Sequence, residues 1–204
     1  IGSNQAAPIL LEGLQRLEYR GYDSAGLAIH DGSDLKVIRA AGKISALAQL
    51  VATSNPHGTF GIGHTRWATH GRPTENNAHP HLVNGLAVVH NGIIENYAEL
   101  KAQLVAQGRT FTSETDTEVI AHLIDLELQT TPDLFQAVRQ ALSRLEGTYA
   151  IGVISRAQPD YFVVAKNFSP LIIGLGQGEN FVASDIPAFL PFTREIITLK
   201  EFEI

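Results

Sequence analysis

The sequence predicts an α+β fold with antiparallel sheet, and three observations carry that reading. Leucines recur at helical spacing through several segments of the first two thirds of the chain. After Gly147 the pattern changes to short apolar runs separated by turn residues. Strands and helices do not alternate regularly, as parallel βαβ units would require.

In order, Pro8 stands where a first helical turn tolerates it, Leu10, Leu14 and Leu17 share one face, and Gly21 supplies a stop. Leu27 to His30, the loop Asp31-Gly32-Ser33-Asp34 and Leu35 to Ala40 read as a hairpin. A helix carrying Ile44, Leu47, Leu50 and Val51 follows and is broken at Asn55-Pro56. Phe60 to Gly63 is strand-like and feeds a polar loop from His64 to His81. Leu86-Ala87-Val88-Val89 is a strand expected to end at Asn91-Gly92 and restart as a helix with Tyr97, Leu100 and Leu104. Thr115-Asp116-Thr117-Glu118 fits a capping box ahead of Val119, Ile120, Leu123 and Ile124, and Pro132 opens a helix with Leu134, Val138 and Leu142 inward. Strands follow over Tyr149 to Ser155, Tyr161 to Lys166, Leu171 to Leu175 and Asn180 to Ala183, with a last one near Glu195 to Leu199. Gln158-Pro159-Asp160, Ser169-Pro170 and Gly176-Gln177-Gly178 separate them, giving roughly eight strands in all.

Hydrophobic residues at 44% and charged residues at 18% are ordinary for a globular protein. The formal charge of -6, without a basic cluster, argues against nucleic acid and against an anionic membrane as partner. No apolar run has the length of a membrane span and no signal-peptide pattern is visible, so the expectation is a cytoplasmic protein acting on small molecules. The sequence holds no Cys and no Met and starts at Ile1, from which residues upstream are expected.

Four stretches could carry chemistry. At Asn91-Gly92 a side-chain amide and a backbone N–H on one turn form a candidate oxyanion hole. The segment His64-Thr65-Arg66-Trp67-Ala68-Thr69-His70-Gly71 holds a guanidinium that can grip a carboxylate at two points, beside an indole able to exclude water. Its bland alternative is a surface loop pinned by a half-buried Trp67. Asp116 suits a helix start electrostatically, yet an Arg on one loop and an Asp on a helix also hold an α-amino acid by both charged ends. Finally, His64, His70, His79, His81 and His90 lie close in sequence and invite a metal reading with His79, His81 and Asp116 as ligands. His79-Pro80-His81 lacks the i, i+4 spacing of common zinc motifs, and no cofactor loop of the phosphate-binding kind is present.

These residues closely resemble the glutaminase (class II glutamine amidotransferase) domain of the glutamine–fructose-6-phosphate aminotransferase, or glucosamine-6-phosphate synthase, family. The carrying stretches are Leu10 to Leu14, Arg16 to Gly26, the His64 to Gly71 octet, Asn77 to His81, Val88 to Tyr97 and Ser113 to His122, with Ser169-Pro170-Leu171 and Ala183-Ser184-Asp185. The resemblance covers residues 1–204 as one glutamine amidotransferase type-2 domain. It implies a four-layer αββα sandwich of the N-terminal nucleophile hydrolase type and release of ammonia from L-glutamine, with L-glutamate as product and no cofactor or metal. It further implies that Asn91 and Gly92 form the oxyanion hole, that Arg66 binds the α-carboxylate and Asp116 the α-ammonium, and that Trp67, Thr69 and His70 line and close the site. The nucleophile would be a Cys upstream of Ile1, about six residues away on the family's pattern. The expected partners are the C-terminal sugar isomerase domains of the same polypeptide, which make glucosamine 6-phosphate from fructose 6-phosphate, in a homodimer of the full-length protein. Two other readings stay open: a glutamine- or glutamate-binding module without turnover, and a His-ligated metal-dependent amidohydrolase.

Overall fold

The computed structural model describes residues 1–204. Five α-helices and ten strands follow one another as α1 (Ala6–Arg16), β1 (Ser24–His30), β2 (Leu35–Ala41), α2 (Ile44–Ser54), β3 (Phe60–Arg66), β4 (His81–Val83), β5 (Leu86–Ile94), α3 (Tyr97–Ala106), α4 (Thr117–Leu128), α5 (Leu134–Leu142), β6 (Gly147–Ser155), β7 (Gln158–Asn167), β8 (Ile172–Leu175), β9 (Asn180–Ala183) and β10 (Ile196–Thr198). None of the helices is long and apolar enough to cross a membrane.

Every strand pairing is antiparallel, in the orders β2-β1-β3, β9-β8-β10 and β4-β5-β6-β7. The first two sheets meet edge to edge. Ile1 exchanges both backbone hydrogen bonds with Asn180 at the start of β9, and the Gly2 amide donates to the Thr59 carbonyl just ahead of β3.

Helices α1 and α2 bury Leu14, Ile44, Leu47 and Val51 against Leu27, Ile29 and Ile38 of β1 and β2. On the other side α3, α4 and α5 bury Leu104, Val119, Ile120, Leu123, Leu134 and Val138 against Val88, Ile151 and Val163 of the four-stranded sheet, and this is the largest core. Between the sheets lies a thin layer of Ala28, Leu35, Phe60, Ala87 and Ile154. The result is α+β with antiparallel sheets, as the residue pattern predicts, in the four αββα layers that the family resemblance implies. Each fully buried Leu, Ile or Phe contributes about 1.5–3 kcal/mol, so the two helix-facing layers carry most of the stabilisation. β1 is buried along its whole length, because helices cover one face and the second sheet the other. That is why Ser24 to His30 shows small and apolar residues without alternation.

The structure corrects several local expectations. Asn91-Gly92 is not a strand-to-helix turn, since β5 runs through it to Ile94 with Asn91 opposite Ala150 and Gly92 opposite Tyr149. The Asn-Gly turn is Asn84-Gly85, where φ of 48° and 84° joins β4 to β5. Residues 64–66 belong to β3, so the polar loop begins at Trp67. Gln158 and Pro159 begin β7 rather than separating it from β6, and the strands number ten. The capping box does not form: the Thr115 hydroxyl meets His81, while Glu118 reaches back to the amides of Thr112 and Ser113.

Candidate active site

Three elements converge on one cavity of about 350 Å³. Strand β3 delivers Arg66 and the loop after it Trp67, Thr69 and His70; β5 delivers Asn91 and Gly92; the start of α4 delivers Asp116. All seven of these residues, singled out from the sequence, line that cavity.

Asn91 and Gly92 sit on the floor. The Oδ1 of Asn91 lies 3.0 Å from Nε2 of His64, which leaves its Nδ2 without a protein partner. Gly92 has φ of 135°, a conformation open to glycine and strained for other residues, and a Cβ there would overlap the Thr148 carbonyl of β6. The glycine is therefore required by close strand approach, not by a turn.

Arg66 is buried at 4% exposure. Its Nη2 donates to the carbonyls of His70 and Gly71 (3.2 Å), and its Nη1 donates to that of Arg72 at 3.4 Å and lies 3.8 Å from Asp23. One guanidinium thus organises the loop that it leads into. Burial pulls it below its ordinary value, against the upward pull of the Asp23, Asp116 and Glu114 carboxylates. Asp23 also accepts from the Ala68 amide at 2.6 Å, tying the loop's first turn to the start of β1. Trp67 is 68% exposed and lays its ring over Gly21, so the bland expectation of a half-buried pin does not describe it. His70 contacts Tyr97 edge to face at 4.9 Å between ring centroids.

Asp116 is the N-cap residue of α4 but caps nothing with its side chain. Its Oδ2 instead accepts from the Ile94 amide at 2.9 Å, at the end of β5. A carboxylate excused from capping and held at the cavity wall is available to a cationic ligand group.

Beside these residues lies a buried polar layer of His64, His79, His81, His90, Thr115 and Thr117, all but His81 also lining the cavity. His79 contacts His64 and Thr117, His90 contacts Thr117 and the Thr148 carbonyl, and His81 contacts Thr115. These partners are hydroxyls, carbonyls and other imidazoles. No group of three His, Asp or Glu side chains has the disposition of a metal site, so the metal reading of His79, His81 and Asp116 lacks its geometry. Sequence reasoning missed Asp23, Thr117 and the role of His64, whose partners come from distant elements. The only signal was that all three fall inside the stretches carrying the resemblance.

Burial lowers these imidazoles below their ordinary value near 6.5, His64 to about 4 and His81 to about 3, with His79 and His90 also depressed. The folded state therefore keeps them neutral where the unfolded chain takes up protons. Stability should be fully present above about pH 6.5 and fall as the pH is lowered from there toward 4. The urea midpoint measured across that range checks this; a midpoint constant between pH 7 and 4.5 would contradict it.

The sequence profile of the glutamine amidotransferase domain matches residues 64–191. Glutamine–fructose-6-phosphate aminotransferase [isomerizing] of Caldanaerobacter subterraneus subsp. tengcongensis is 54% identical over 206 residues, covering 100% of this chain and 34% of the relative. The protein of the same name from Thermus thermophilus is 52% identical over 206 residues, with the same coverage. The chain thus spans about a third of the length of these curated relatives. Among solved structures, the glutamine phosphoribosylpyrophosphate amidotransferase from B. subtilis, complexed with ADP and GMP, aligns with a TM-score of 0.79 and 34% identity, covering 94% of this chain and 42% of that one.

Proposed function

Because the chain belongs to the glutamine amidotransferase domain family, we propose that it is the glutamine-hydrolysing unit of a longer polypeptide. The observation that carries this reading is the convergence of Arg66, Asp116 and the Asn91-Gly92 pair on one cavity. The α-carboxylate of glutamine is assigned to Arg66 and its α-ammonium to Asp116, which leaves the side-chain carboxamide over Asn91 and Gly92. Trp67, Thr69 and His70 line and cover the bound amino acid.

The thiol of an N-terminal Cys gives its proton to its own α-amino group and attacks the carboxamide carbon, the oxyanion forms against the Asn91 Nδ2–H and Gly92 N–H groups, and the nitrogen leaves as ammonia with that proton to give a thioester. Water then hydrolyses the thioester to glutamate. The thiol is assigned to residues preceding Ile1, and the strand edges support the assignment. Residues 1–2 enter between the starts of β3 and β9, Ile1 pairing with Asn180 and the Gly2 amide donating to Thr59, and both strands line the cavity. A strand extended backwards from Ile1 in that register brings a residue about six positions earlier level with Arg66. The recipient of the ammonia is assigned to sugar isomerase domains of the same polypeptide, making glucosamine 6-phosphate from fructose 6-phosphate in a homodimer.

Release of glutamate and ammonia from glutamine by the full-length protein, abolished by a thiol-alkylating reagent, is the expected result. Binding without turnover would overturn the reading in favour of a glutamine-binding module. Asp116→Asn keeps the shape and the Ile94 contact while removing the charge. It should weaken glutamine about tenfold or more and leave a glutamine analogue without the α-amino group unaffected, as calorimetry would show.

A further inference from the structure

We propose that His64 is a positioning residue for glutamine hydrolysis: its Nε2–H grips Oδ1 of Asn91 and so turns the Nδ2 hydrogens of that amide into the cavity. The inference rests on the glutaminase reading above. A carboxamide offers a donor at one end and an acceptor at the other, and a half-turn about its last bond would present the oxyanion with an acceptor. The backbone of Asn91 does not decide between these states. The neighbour at 3.0 Å does.

With Oδ1 turned toward it, His64 has to donate from Nε2, and the buried chain behind it accommodates that tautomer. Five contacts run in series: Asn91 Oδ1 to His64 (3.0 Å), His64 to His79 (3.0 Å), His79 to Thr117 (3.0 Å), Thr117 to His90 (3.0 Å), and His90 to the Thr148 carbonyl (3.3 Å). With Asn91 placed as it is, Oδ1 toward His64, both ends are oxygens that only accept. Three neutral imidazoles and one hydroxyl supply a single proton each, so one of the contacts has none. A proton on His64 Nε2 passes the deficit to the far end, where the contact to Thr148 is the longest of the five. With that end empty the rest is fixed: His90 Nδ1–H donates to Thr117, the Thr117 hydroxyl to His79 Nε2, and His79 Nδ1–H to His64 Nδ1. His64 is then left with its proton on Nε2, facing Asn91. Protons ordered toward Thr148 instead would strip Nε2 and free the amide to turn over. Burial keeps the imidazoles of the chain neutral near pH 7, which is the state counted here.

Imidazole nitrogen NMR on the full-length protein at pH 7 should show His64 as the Nε2–H tautomer; the Nδ1–H tautomer would overturn the proposal. His64→Leu should lower kcat about tenfold to a hundredfold with KM little changed, the scale of a misplaced catalytic group. His64→Gln, whose amide N–H reaches the same Oδ1, should keep most of the turnover. Equal loss in both variants, or a loss confined to KM, would overturn it. If the unaltered protein does not hydrolyse glutamine the glutaminase reading itself fails, and the tautomer still decides how Asn91 is held.

Discussion

Replacing Asn91 with alanine should lower glutamine turnover about a hundred- to a thousandfold while leaving glutamine affinity within a few-fold. The asymmetry follows from where the amide stands. Asn91 lines the cavity from β5, whereas the groups assigned to the two charged ends of the amino acid stand on β3 and at the start of α4. The Asn91 hydrogen bond strengthens only when the carboxamide oxygen becomes an oxyanion, so the loss falls on kcat. Alanine at this position leaves β5 paired with β6, because the ladder is made by backbone. Steady-state kinetics with calorimetric Kd values for both proteins would test it. A comparable fall in affinity and turnover would assign Asn91 to substrate contact or to the fold.

Arg66→Ala should act in the opposite sense, weakening glutamine binding by about 2–5 kcal/mol, since a charged partner is removed from a closed site. The structure adds a second cost. The same side chain holds the carbonyls of His70, Gly71 and Arg72, so its loss also releases the loop carrying Trp67, Thr69 and His70. Arg66→Lys separates the two, keeping the charge while losing the planar fork. It should recover part of the affinity, and proteolysis within residues 67–80 should rise in both variants. An unaltered Kd in Arg66→Ala would remove Arg66 from the carboxylate.

Much of this architecture was legible in the residues. Helices α1, α2, α4 and α5 follow from leucine spacing and from breakers such as Gly21 and Asn55-Pro56, and the hairpin of β1 and β2 from Asp31-Gly32-Ser33-Asp34. The two Asn-Gly pairs show where local reading stops. Both have the composition of a turn, but only Asn84-Gly85 is one; Gly92 is demanded by the Thr148 carbonyl of a strand far away in sequence. Asp116 likewise had a sufficient local explanation as a cap, and loses it because the end of β5 offers a better-placed amide. The histidines were legible as a cluster and not as a chain, since Thr117, which joins His79 to His90, looks like an ordinary first-turn residue. Residue chemistry made candidates of Asn91-Gly92, Asp116 and the segment holding Arg66 and Trp67, and motif resemblance gave the seven residues their roles; periodicity alone would have left Arg66, Trp67 and Asn91 as loop residues.

The thin layer between the sheets has a mechanical meaning. Arg66 rides on one sheet and Asn91 on the other, so the gap across which glutamine would be stretched is the spacing of the sandwich, ordinarily ~10 Å. Ala28 and Ala87 act as shims in that gap, with Phe60 and Ile154 as its stiffer members. The reach of the clamp from the oxyanion donors is thus gauged by methyl groups that touch no substrate. A methylene added or removed there would first appear as a mismatch in substrate length, before it appeared as a loss of stability.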